Sequence, residues 1–397
     1  MAKTQRIEVI DVLRGFTLLG ICIIHFVEQY YAGAPPEEYA NFISRNLFDQ
    51  IVLGFVNFLI FGKFFMIFSF LFGLSFAIQL NNSRGDSHFV RRFIWRLIIL
   101  FAIGAIHHLH YRGDILTIYA MLGLLLPLFI RVSDKWLLII SAFLIANVPT
   151  FLTRLVEFVA NTSLTGSYFE TPQSELLQYY NTVKSGTYFD ILKANFFEFI
   201  SKMQFQVGSG RIYITFGLFL LGLYAGRKNI FAQPDIFKKM IKWALWTFAI
   251  CFLALLVVGL VVYALKIEMD FKLWGLIGGI PYDLLNAAMA TIYVALIVIL
   301  FQKEKWKNRL LVFLEAGRMG LTTYVMQTVF GTLIYFSYGL GLLGEFGAGI
   351  AFGIAIVVFI LQIAFSKWWF TRYQYGPLEW VWRRLTAMGR PGEGARG

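Results

Sequence analysis

The chain has 397 residues, of which 58% are hydrophobic and only 15% are charged, with a mean hydropathy of +0.67. Soluble domains carry about 25% charged residues, so this composition excludes an ordinary soluble protein and predicts an integral membrane protein. The net charge of +12 does not indicate a nucleic-acid partner, because the basic residues stand between apolar runs, where they act as topology signals.

The chain opens with a membrane anchor. Lys3 and Arg6 precede the first apolar run, Arg14 interrupts it, and no small-residue cleavage site follows. We therefore expect this segment to stay in the lipid bilayer as an uncleaved helix rather than to be removed as a signal peptide.

Ten apolar runs follow one another, each long enough for a membrane crossing of about 20 residues. They are 12–30, 51–79, 93–109, 114–131, 136–158, 211–226, 243–265, 281–301, 311–338 and 347–370. At this length only α-helices satisfy their own backbone hydrogen bonds, so we predict an all-α, polytopic bundle of about ten transmembrane helices. The second run is long enough to be tilted or broken, with Gly54 and Gly62 as candidate break points.

The connections between the apolar runs alternate between the two sides of the membrane. Lysine and arginine are more frequent on one side than on the other. The richer side holds both termini and the connections near 84–92, 131–135, 227–242 and 303–309. The positive-inside rule makes this side cytoplasmic, so both termini are predicted to be cytoplasmic. The poorer, outer side includes Arg112, Lys202 and Arg211.

One long connection, 159–210, falls on the outer side. Its segments "SELLQYYNTVKSG" and "YFDILKANFFEFISKMQF" place apolar residues at intervals of three and four, which predicts amphipathic helices that lie on the membrane or cap the bundle. Residues 1–388 are thus predicted to form one integral membrane domain, and the glycine- and charge-rich residues 389–397 a disordered tail. No convincing internal repeat is visible, which weakens the case for an inverted-repeat transporter.

The first helix carries four ionisable residues on one face. At about 100° per residue, Asp11, Arg14, His25 and Glu28 fall within an arc of roughly 100°. Turning such groups to lipid costs about 3 kcal/mol or more each near the membrane centre, so this face is predicted to point inward. Asp11 and Arg14 could form an interfacial ion pair, and His25 a structural hydrogen bond. The alternative is that these residues contact a substrate or cofactor.

The stretch "GAIHHLHYRGDILTIYA", residues 104–120, is the densest in reactive groups. It holds three of the five histidines of the chain, His107, His108 and His110, followed by Asp114. A histidine with a carboxylate partner can act as a general base. The hairpin could instead be structural, with Asp114 capping the next helix. A metal site is a third reading, but no neighbouring Cys or Glu completes a ligand set, and we expect no metal.

Two further segments place polar residues in apolar helices. Lys63 begins the aromatic segment "GKFFMIFSFLFGLSF", and "EAGRMGLTTYVMQTVF" contains Arg318, Tyr324 and Gln327. Arg14 and Arg318 could together form an anion pocket, because guanidinium groups match phosphate oxygens. The alternative is that both are topology signals. The chain has no P-loop, no dinucleotide fingerprint after a strand and no G-x-S-x-G motif.

Several of these stretches together resemble one family. "RIEVIDVLRGFTLLGI", "GKFFMIFSFLFGLSF", "GAIHHLHYRGDILTIYAMLG", "FGLFLLGLYAGRKNIF", "AGRMGLTTYVMQ" and "GPLEWVWRRLT" are similar to motifs of the YeiB-like bacterial membrane proteins, which contain the domain of unknown function 418. The resemblance extends from about residue 6 to residue 386. The last two motifs are the most specific, and they place the family signature in 225–386.

Members of this family look distantly similar to transmembrane acyltransferases. That group includes the lysosomal heparan-α-glucosaminide N-acetyltransferase and bacterial sugar O-acyltransferases, and it shares an "LDxLRG" opening, here "IDVLRG". The resemblance implies a multi-pass protein of the bacterial cytoplasmic (inner) membrane, an acyl-CoA site on the cytoplasmic side and an acceptor on the far side. It matches His107 to the family's third-span histidine. His25 departs from the pattern, which commonly has Asn there.

Two functions follow as hypotheses. The first is an acyltransferase that moves an acyl group from acyl-CoA to an envelope glycan or related small-molecule acceptor, with His107 as base or transient acyl carrier, Asp114 orienting it and Lys63 assisting electrostatically. The second is a permease or exporter of a small or lipid-linked solute, whose path the polar residues line. The candidate substrate- or cofactor-binding residues are Arg14, Asp11, His25, Glu28, Arg318, Tyr324 and Gln327.

Overall fold

A computed structural model describes residues 7–33, 35–83, 86–162, 173–268 and 271–388. The predicted tail, 389–397, lies outside them. The described residues are helical, without strands. The helices are α1 (Glu8–Val27), α2 (Glu37–Ile43), α3 (Leu47–Phe55), α4 (Phe64–Asn82), α5 (Phe89–His110), α6 (Leu116–Gly123), α7 (Asp134–Ile145), α8 (Val148–Ala160), α9 (Gln173–Ser185), α10 (Tyr188–Gly208), α11 (Arg211–Arg227), α12 (Pro234–Leu265), α13 (Phe271–Ile277), α14 (Gly279–Phe301), α15 (Glu304–Leu310), α16 (Leu314–Arg318), α17 (Gly320–Tyr335), α18 (Ala348–Phe370) and α19 (Pro377–Met388).

Among the described residues, five helical segments are long and apolar enough to cross a membrane. They are Glu8–Val27, Leu47–Asn82, Pro234–Leu265, Gly279–Phe301 and Ala348–Phe370. Two bent pairs, α7–α8 and α10–α11, with bends of 46° and 67°, raise the number to seven if each pair is one crossing. These apolar helices confirm an all-α membrane protein.

The other predicted crossings fall on α5, α6 and α17. Helix α6 has eight residues and α17 has 16, and both are shorter than the roughly 20 residues that span the hydrocarbon core. Helix α5 has 22 residues, with three arginines near its start and three histidines near its end. These three helices therefore differ from the five long apolar segments: α6 and α17 are short, and α5 carries arginines or histidines near both ends.

The second span is broken at one of the two predicted glycines. A π-helical turn, Val56–Ile60, follows α3, and Gly62 then adopts φ = +83° before α4 begins. This left-handed conformation favours glycine, since other residues lack room for their Cβ atom there. Gly54 stays inside α3.

Helix α1 lies at the centre and touches α16 through two motif glycines. A Cβ atom on Gly15 would lie 2.0 Å from the carbonyl oxygen of Phe313, and one on Gly317 would lie 1.8 Å from that of Asp11. Small residues of this kind allow the backbones of membrane helices to approach closely. The "LRG" and "AGR" motifs therefore depend on each other, and their arginines, Arg14 and Arg318, are brought to the same end of the bundle.

Helices α9 and α10 cover the hairpin between α5 and α6. Arg112, in that hairpin, donates to the carbonyl oxygen of Tyr31 at 2.8 Å and pairs with Glu198 of α10 at 3.0 Å. Its guanidinium carbon lies 3.6 Å from the ring centroid of Tyr179 in α9. Asn195 of α10 donates to the hairpin at the carbonyl oxygen of Leu109. The two helices of the long connection thus fix the hairpin in place.

The C-terminal helix α19 caps α17. The Glu379 carboxylate accepts hydrogen bonds from the backbone nitrogens of Leu321 and Thr322, at 2.7 and 3.1 Å, and from the Thr322 hydroxyl at 2.6 Å. The Trp382 indole nitrogen donates to the carbonyl oxygen of Arg96. The carboxylate satisfies backbone donors that the first turn of a helix leaves unpaired. Helix α19 therefore links the start of α17 to α5.

Glu379→Ala is expected to lower the free energy of unfolding by about 1–2 kcal/mol, because the first turn of α17 loses its acceptor. Glu379→Gln, which keeps an acceptor oxygen, is the control and should lose less. Thermal unfolding of both variants in the same detergent measures the difference. Equal stability of Glu379→Ala and the unaltered protein would contradict the capping role.

Candidate functional site

His107 lies at the end of α5 and connects two other segments. Its Nδ1 atom is 2.8 Å from Oδ1 of Asp114, and its Nε2 atom is 2.8 Å from Oγ1 of Thr328 on α17. Helix α5 ends here, and the chain turns through Gly113 to return the carboxylate to the imidazole. The pairing of His107 with Asp114 is thus present in the structure. Thr328 was not predicted.

Asp114 also caps α6. Its carboxylate accepts hydrogen bonds from the backbone nitrogens of Leu116 and Thr117, at 3.1 and 3.0 Å, and from the Thr117 hydroxyl at 2.7 Å. The carboxylate is buried. The two interpretations of this residue, as a helix cap and as the partner of His107, therefore hold together, because each oxygen atom accepts more than one hydrogen bond.

Lys202 of α10 enters the same cluster. Its Nζ atom lies 3.6 Å from Oδ2 of Asp114, and it donates to the Thr117 hydroxyl at 2.9 Å. It also lies 3.1 Å from Nδ1 of His108. The charge pattern of the sequence places Lys202 in the outer loop. Its spacing could have indicated a buried position, because at about 100° per residue Lys202 lies on the same face of α10 as the buried Ile191.

The hydrogen bonds define where the protons lie. Asp114 accepts from Thr117 and two backbone nitrogens and faces the Lys202 ammonium, so it is a carboxylate and a pure acceptor. His107 therefore donates from Nδ1–H to Asp114. In the neutral ring, Nε2 is then the acceptor, and the Thr328 hydroxyl donates to it.

The three histidines have separate partners. His108 faces Lys202, whereas the ring nitrogens of the partly exposed His110 lie 2.9 Å from the carbonyl oxygen of Ile106 and 2.9 Å from the Tyr188 hydroxyl. Within the ranges that the structure describes, no three His, Cys, Asp or Glu side chains are arranged as metal ligands. The hairpin therefore presents one buried imidazole–carboxylate pair.

Tyr324 and His25 lie against this pair. The Tyr324 ring centroid is 5.0 Å from that of His107 and 6.1 Å from that of His25. His25 also packs edge-on to Tyr111 at 5.2 Å. The Nδ1 atom of His25 is buried and has no hydrogen-bond partner among the described residues. His25 on this face of α1 thus points into the bundle and reaches the hairpin at Tyr111.

A second unpredicted cation, Arg211, lies at the start of α11. Its guanidinium carbon is 4.3 Å from the ring centroid of Phe65, and its electrostatic field acts on both His25 and Glu28. Arg211 and Glu28 do not form an ion pair in the part of the chain that the structure describes, and the Nε atom of Arg211 is buried without an acceptor.

A cavity of about 280 Å³ extends from the arginine end of the bundle to Tyr324, whose ring packs against that of His107. Arg14, Arg96 and Arg318 line one end, and Tyr119 and Tyr324 line the other. The wall between them is apolar and aromatic, and includes Phe68, Leu71, Phe72, Phe76, Phe93, Leu97 and Leu100. Arg96 and His107 are 11 residues apart in α5, so the two ends are about 16 Å apart.

Each arginine at this end has a polar partner. Arg14 donates to Asp11 at 2.7 Å and to the Ser75 hydroxyl at 2.6 Å. Arg318 donates to Glu315 at 2.6 Å, and its guanidinium carbon lies 4.0 Å from the Phe370 ring centroid. The interfacial ion pair of Asp11 and Arg14 is therefore present, and Arg14 lines the cavity as well.

Arg96 completes the arginine end. It donates to Oε1 of Gln79, and its guanidinium carbon lies 4.7 Å from the ring centroid of Trp382 in α19. The sequence did not mark Arg96 as a site residue, because an arginine near the start of an apolar run is a common topology signal.

Two predicted site residues lie apart from the cluster. Lys63 donates to the carbonyl oxygen of Asn57 at 3.2 Å, at the break between α3 and α4, so no contact supports its predicted role beside His107. Gln327 donates to the carbonyl oxygen of Leu18 at 3.1 Å and to Gln362 at 3.2 Å. Its contacts join α17 to α1 and α18 and are structural.

Comparison with known proteins agrees with the family resemblance of the sequence motifs. Residues 225–389 match the family model described as "Protein of unknown function (DUF418)". The chain is 29% identical to the "Uncharacterized protein YxaH" of Bacillus subtilis (strain 168), covering 97% of this chain and 95% of that protein. It is 24% identical to the "Uncharacterized protein YeiB" of Escherichia coli (strain K12), covering 96% of each. No solved structure matches. The DUF418 match in residues 225–389 and the similarity to YxaH and YeiB over nearly the whole chain together support a YeiB-like member of the DUF418 family.

Proposed function

We propose that this membrane protein is an acyltransferase, which moves an acyl group from a cytoplasmic acyl-CoA to an envelope glycan or a related acceptor on the outer side. The observation that carries the proposal is the cavity that leads from the three arginines to Tyr324, whose ring packs against His107 of the His107–Asp114 pair. An anion-binding end and a buried base, joined by an apolar passage, are the parts that acyl transfer from a large anionic thioester requires.

The arginine end suits the donor. Guanidinium groups form paired, charge-assisted hydrogen bonds with phosphate oxygens, and Arg14, Arg96 and Arg318 line the same cavity end. The aromatic wall suits the uncharged arm and acyl group of the donor, because it excludes water. CoA would thus bind with its phosphates at the arginines and its thioester towards Tyr324.

The hairpin end suits the chemistry. His107 presents an unprotonated Nε2 atom, and Asp114 holds the opposite nitrogen as a donor, which fixes the tautomer that a general base needs. Lys202 keeps Asp114 ionised through its own charge. The base takes the proton of the attacking group and returns it to the leaving sulfur.

The direction of transfer belongs to the same proposal. Ten crossings with both termini in the cytoplasm, in a bacterial inner membrane, would place the arginines on the inner side and His107 near the outer side. The basic connections of the chain support this orientation. The acyl group would then cross most of the bilayer inside the protein.

The test is binding of labelled acetyl-CoA to the purified protein in lipid nanodiscs. Arg14→Ala and Arg318→Ala are each expected to weaken binding about 10- to 150-fold, because each removes charge-assisted hydrogen bonds worth about 1.5–3 kcal/mol. Arg309→Ala is the control: this exposed residue lies in the connection before α16, outside the cavity lining. Binding that is absent, or equal in all variants, would contradict the donor site.

One observation favours the permease as a second candidate. The Nε atom of Arg211 is buried without an acceptor among the described residues, and Glu28 lies on the same inward face of α1 as His25; ionisable residues inside a membrane bundle often line the path of a substrate or ion. Exchange of a labelled lipid-linked glycan across proteoliposomes without release of CoA would support transport. Release of CoA together with an acylated product would support the enzyme.

A further inference from the structure

We propose that Thr328 is the acyl carrier of this protein, and that its hydroxyl receives the acyl group before the acceptor does. This inference rests on the proposed acyltransferase function and names the nucleophile of the same site. The observation behind it is that the Thr328 hydroxyl already occupies the reactive nitrogen of His107.

Thr328, His107 and Asp114 form a continuous hydrogen-bonded chain. Oγ1 of Thr328 is 2.8 Å from Nε2 of His107, and Nδ1 of the same ring is 2.8 Å from Oδ1 of Asp114. A hydroxyl, an imidazole and a carboxylate in this order are the arrangement that activates serine nucleophiles in hydrolases. All three side chains are buried, so water does not compete for the base.

The same contacts disfavour His107 as the carrier. Acylation at Nε2 would require Thr328 to leave that atom, and acylation at Nδ1 would break the bond to Asp114. The Thr328 oxygen, in contrast, donates its one proton to His107 and keeps lone pairs for attack. The nucleophile is therefore the hydroxyl, and the imidazole is its base.

Thr328 also lies next to the donor cavity. Leu321 and Tyr324 of α17 line that cavity, and Thr328 is one turn further along the same face, four residues beyond Tyr324. The Tyr324 ring lies between the end of the cavity and the His107 ring. A thioester bound with its phosphates at the arginines would thus approach Thr328 past this tyrosine.

The reaction balances without another reactant. Oγ1 of Thr328 attacks the thioester carbon as its proton moves to Nε2 of His107; the C–S bond then breaks, and the CoA sulfur takes that proton. The product is a threonyl ester and free CoA. An acceptor hydroxyl or amine next gives its proton to Nε2 and attacks the ester, and Thr328 leaves as an alkoxide that recovers the proton.

The test uses the full-length protein in lipid nanodiscs with acetyl-CoA and no acceptor. The variants are Thr328→Val, which replaces the hydroxyl by a methyl group of similar size, Thr328→Ser, which keeps it, and Thr332→Val. Thr332 is the control, because it is a buried threonine one turn further on the same helix and bonds to the carbonyl oxygen of Val329. Intact-protein mass spectrometry detects the adduct, and a thiol assay detects CoA.

The unaltered protein, Thr328→Ser and Thr332→Val are expected to gain one acetyl group that survives neutral hydroxylamine, as an ester does. Thr328→Val should gain none and should release CoA at least about 100-fold more slowly. Thermal unfolding of Thr328→Val shows whether this variant folds.

A hydroxylamine-labile adduct mapped to His107, or an unchanged rate of CoA release by Thr328→Val, would overturn Thr328 as carrier while leaving the acyltransferase intact. Failure of the unaltered protein to bind acetyl-CoA or release CoA would instead overturn the proposed function itself.

Discussion

Replacing His107 by alanine is expected to slow acyl transfer by about 10²–10⁴-fold, the range for loss of a general base. The alanine leaves Thr328 without the acceptor for its proton and Asp114 without the imidazole that it orients. The effect should appear in kcat rather than in acetyl-CoA affinity, because the arginine end of the cavity is about 16 Å away. Transfer to lipid-linked acceptors from a bacterial membrane extract, followed with labelled acetyl-CoA, measures it.

His110→Ala is the matched control. His110 belongs to the same helix, but it is partly exposed, and its ring forms hydrogen bonds with Ile106 and Tyr188 rather than with the cluster. This variant should transfer at nearly the unaltered rate. Equal losses in both variants would indicate damage to the hairpin, and full activity of His107→Ala would show that the base lies elsewhere.

Asp114→Ala is expected to destabilise the protein by about 3–5 kcal/mol, because it removes one partner of a buried ion pair and leaves the Lys202 charge uncompensated. The same change removes the cap of α6, where three hydrogen bonds end on the carboxylate. Unfolding in a fixed detergent, by heat or by denaturant, measures the loss. Asp114→Asn keeps an acceptor for the cap and should lose less.

A double variant separates the two causes. Lys202→Met removes the buried ammonium, so adding it to Asp114→Ala should restore part of the lost stability. The remaining loss is that of the helix cap and of the bond to His107. If the two changes are additive, Lys202 and Asp114 do not interact in the way that the 3.6 Å contact indicates.

Periodicity allowed part of this site to be predicted. Ionisable residues on one face of α1 could only face inward, because lipid excludes them, and the structure places His25 against Tyr111 and Tyr324. His107 and Asp114 lie seven residues apart across a tight turn, so their contact is local. The long apolar runs made an all-helical membrane protein the only fold that satisfies the backbone.

The remainder of the site depends on contacts between segments distant in sequence. Lys202 and Arg211 were counted as loop charges, because the charge rule has no information on which loops fold back into a bundle. Nothing in the sequence marked Thr328 as a site residue, because a single hydroxyl is tolerated at almost any position of an apolar helix. Arg96 resembled a topology signal until Trp382 was seen to pack against it. Pairings of this kind are set by tertiary packing and cannot be read from periodicity.

The packing of α19 has a consequence for biosynthesis. Glu379 and Trp382, both in α19, hold the start of α17 and the arginine end of α5. The ribosome makes α19 after α5 and α17, so until α19 is made the first turn of α17 lacks its cap and the arginine end of the cavity lacks Trp382. A nascent chain that stalls before this helix therefore exposes unsatisfied backbone at the cavity entrance, and a premature stop codon there yields a bundle that quality-control proteases can recognise.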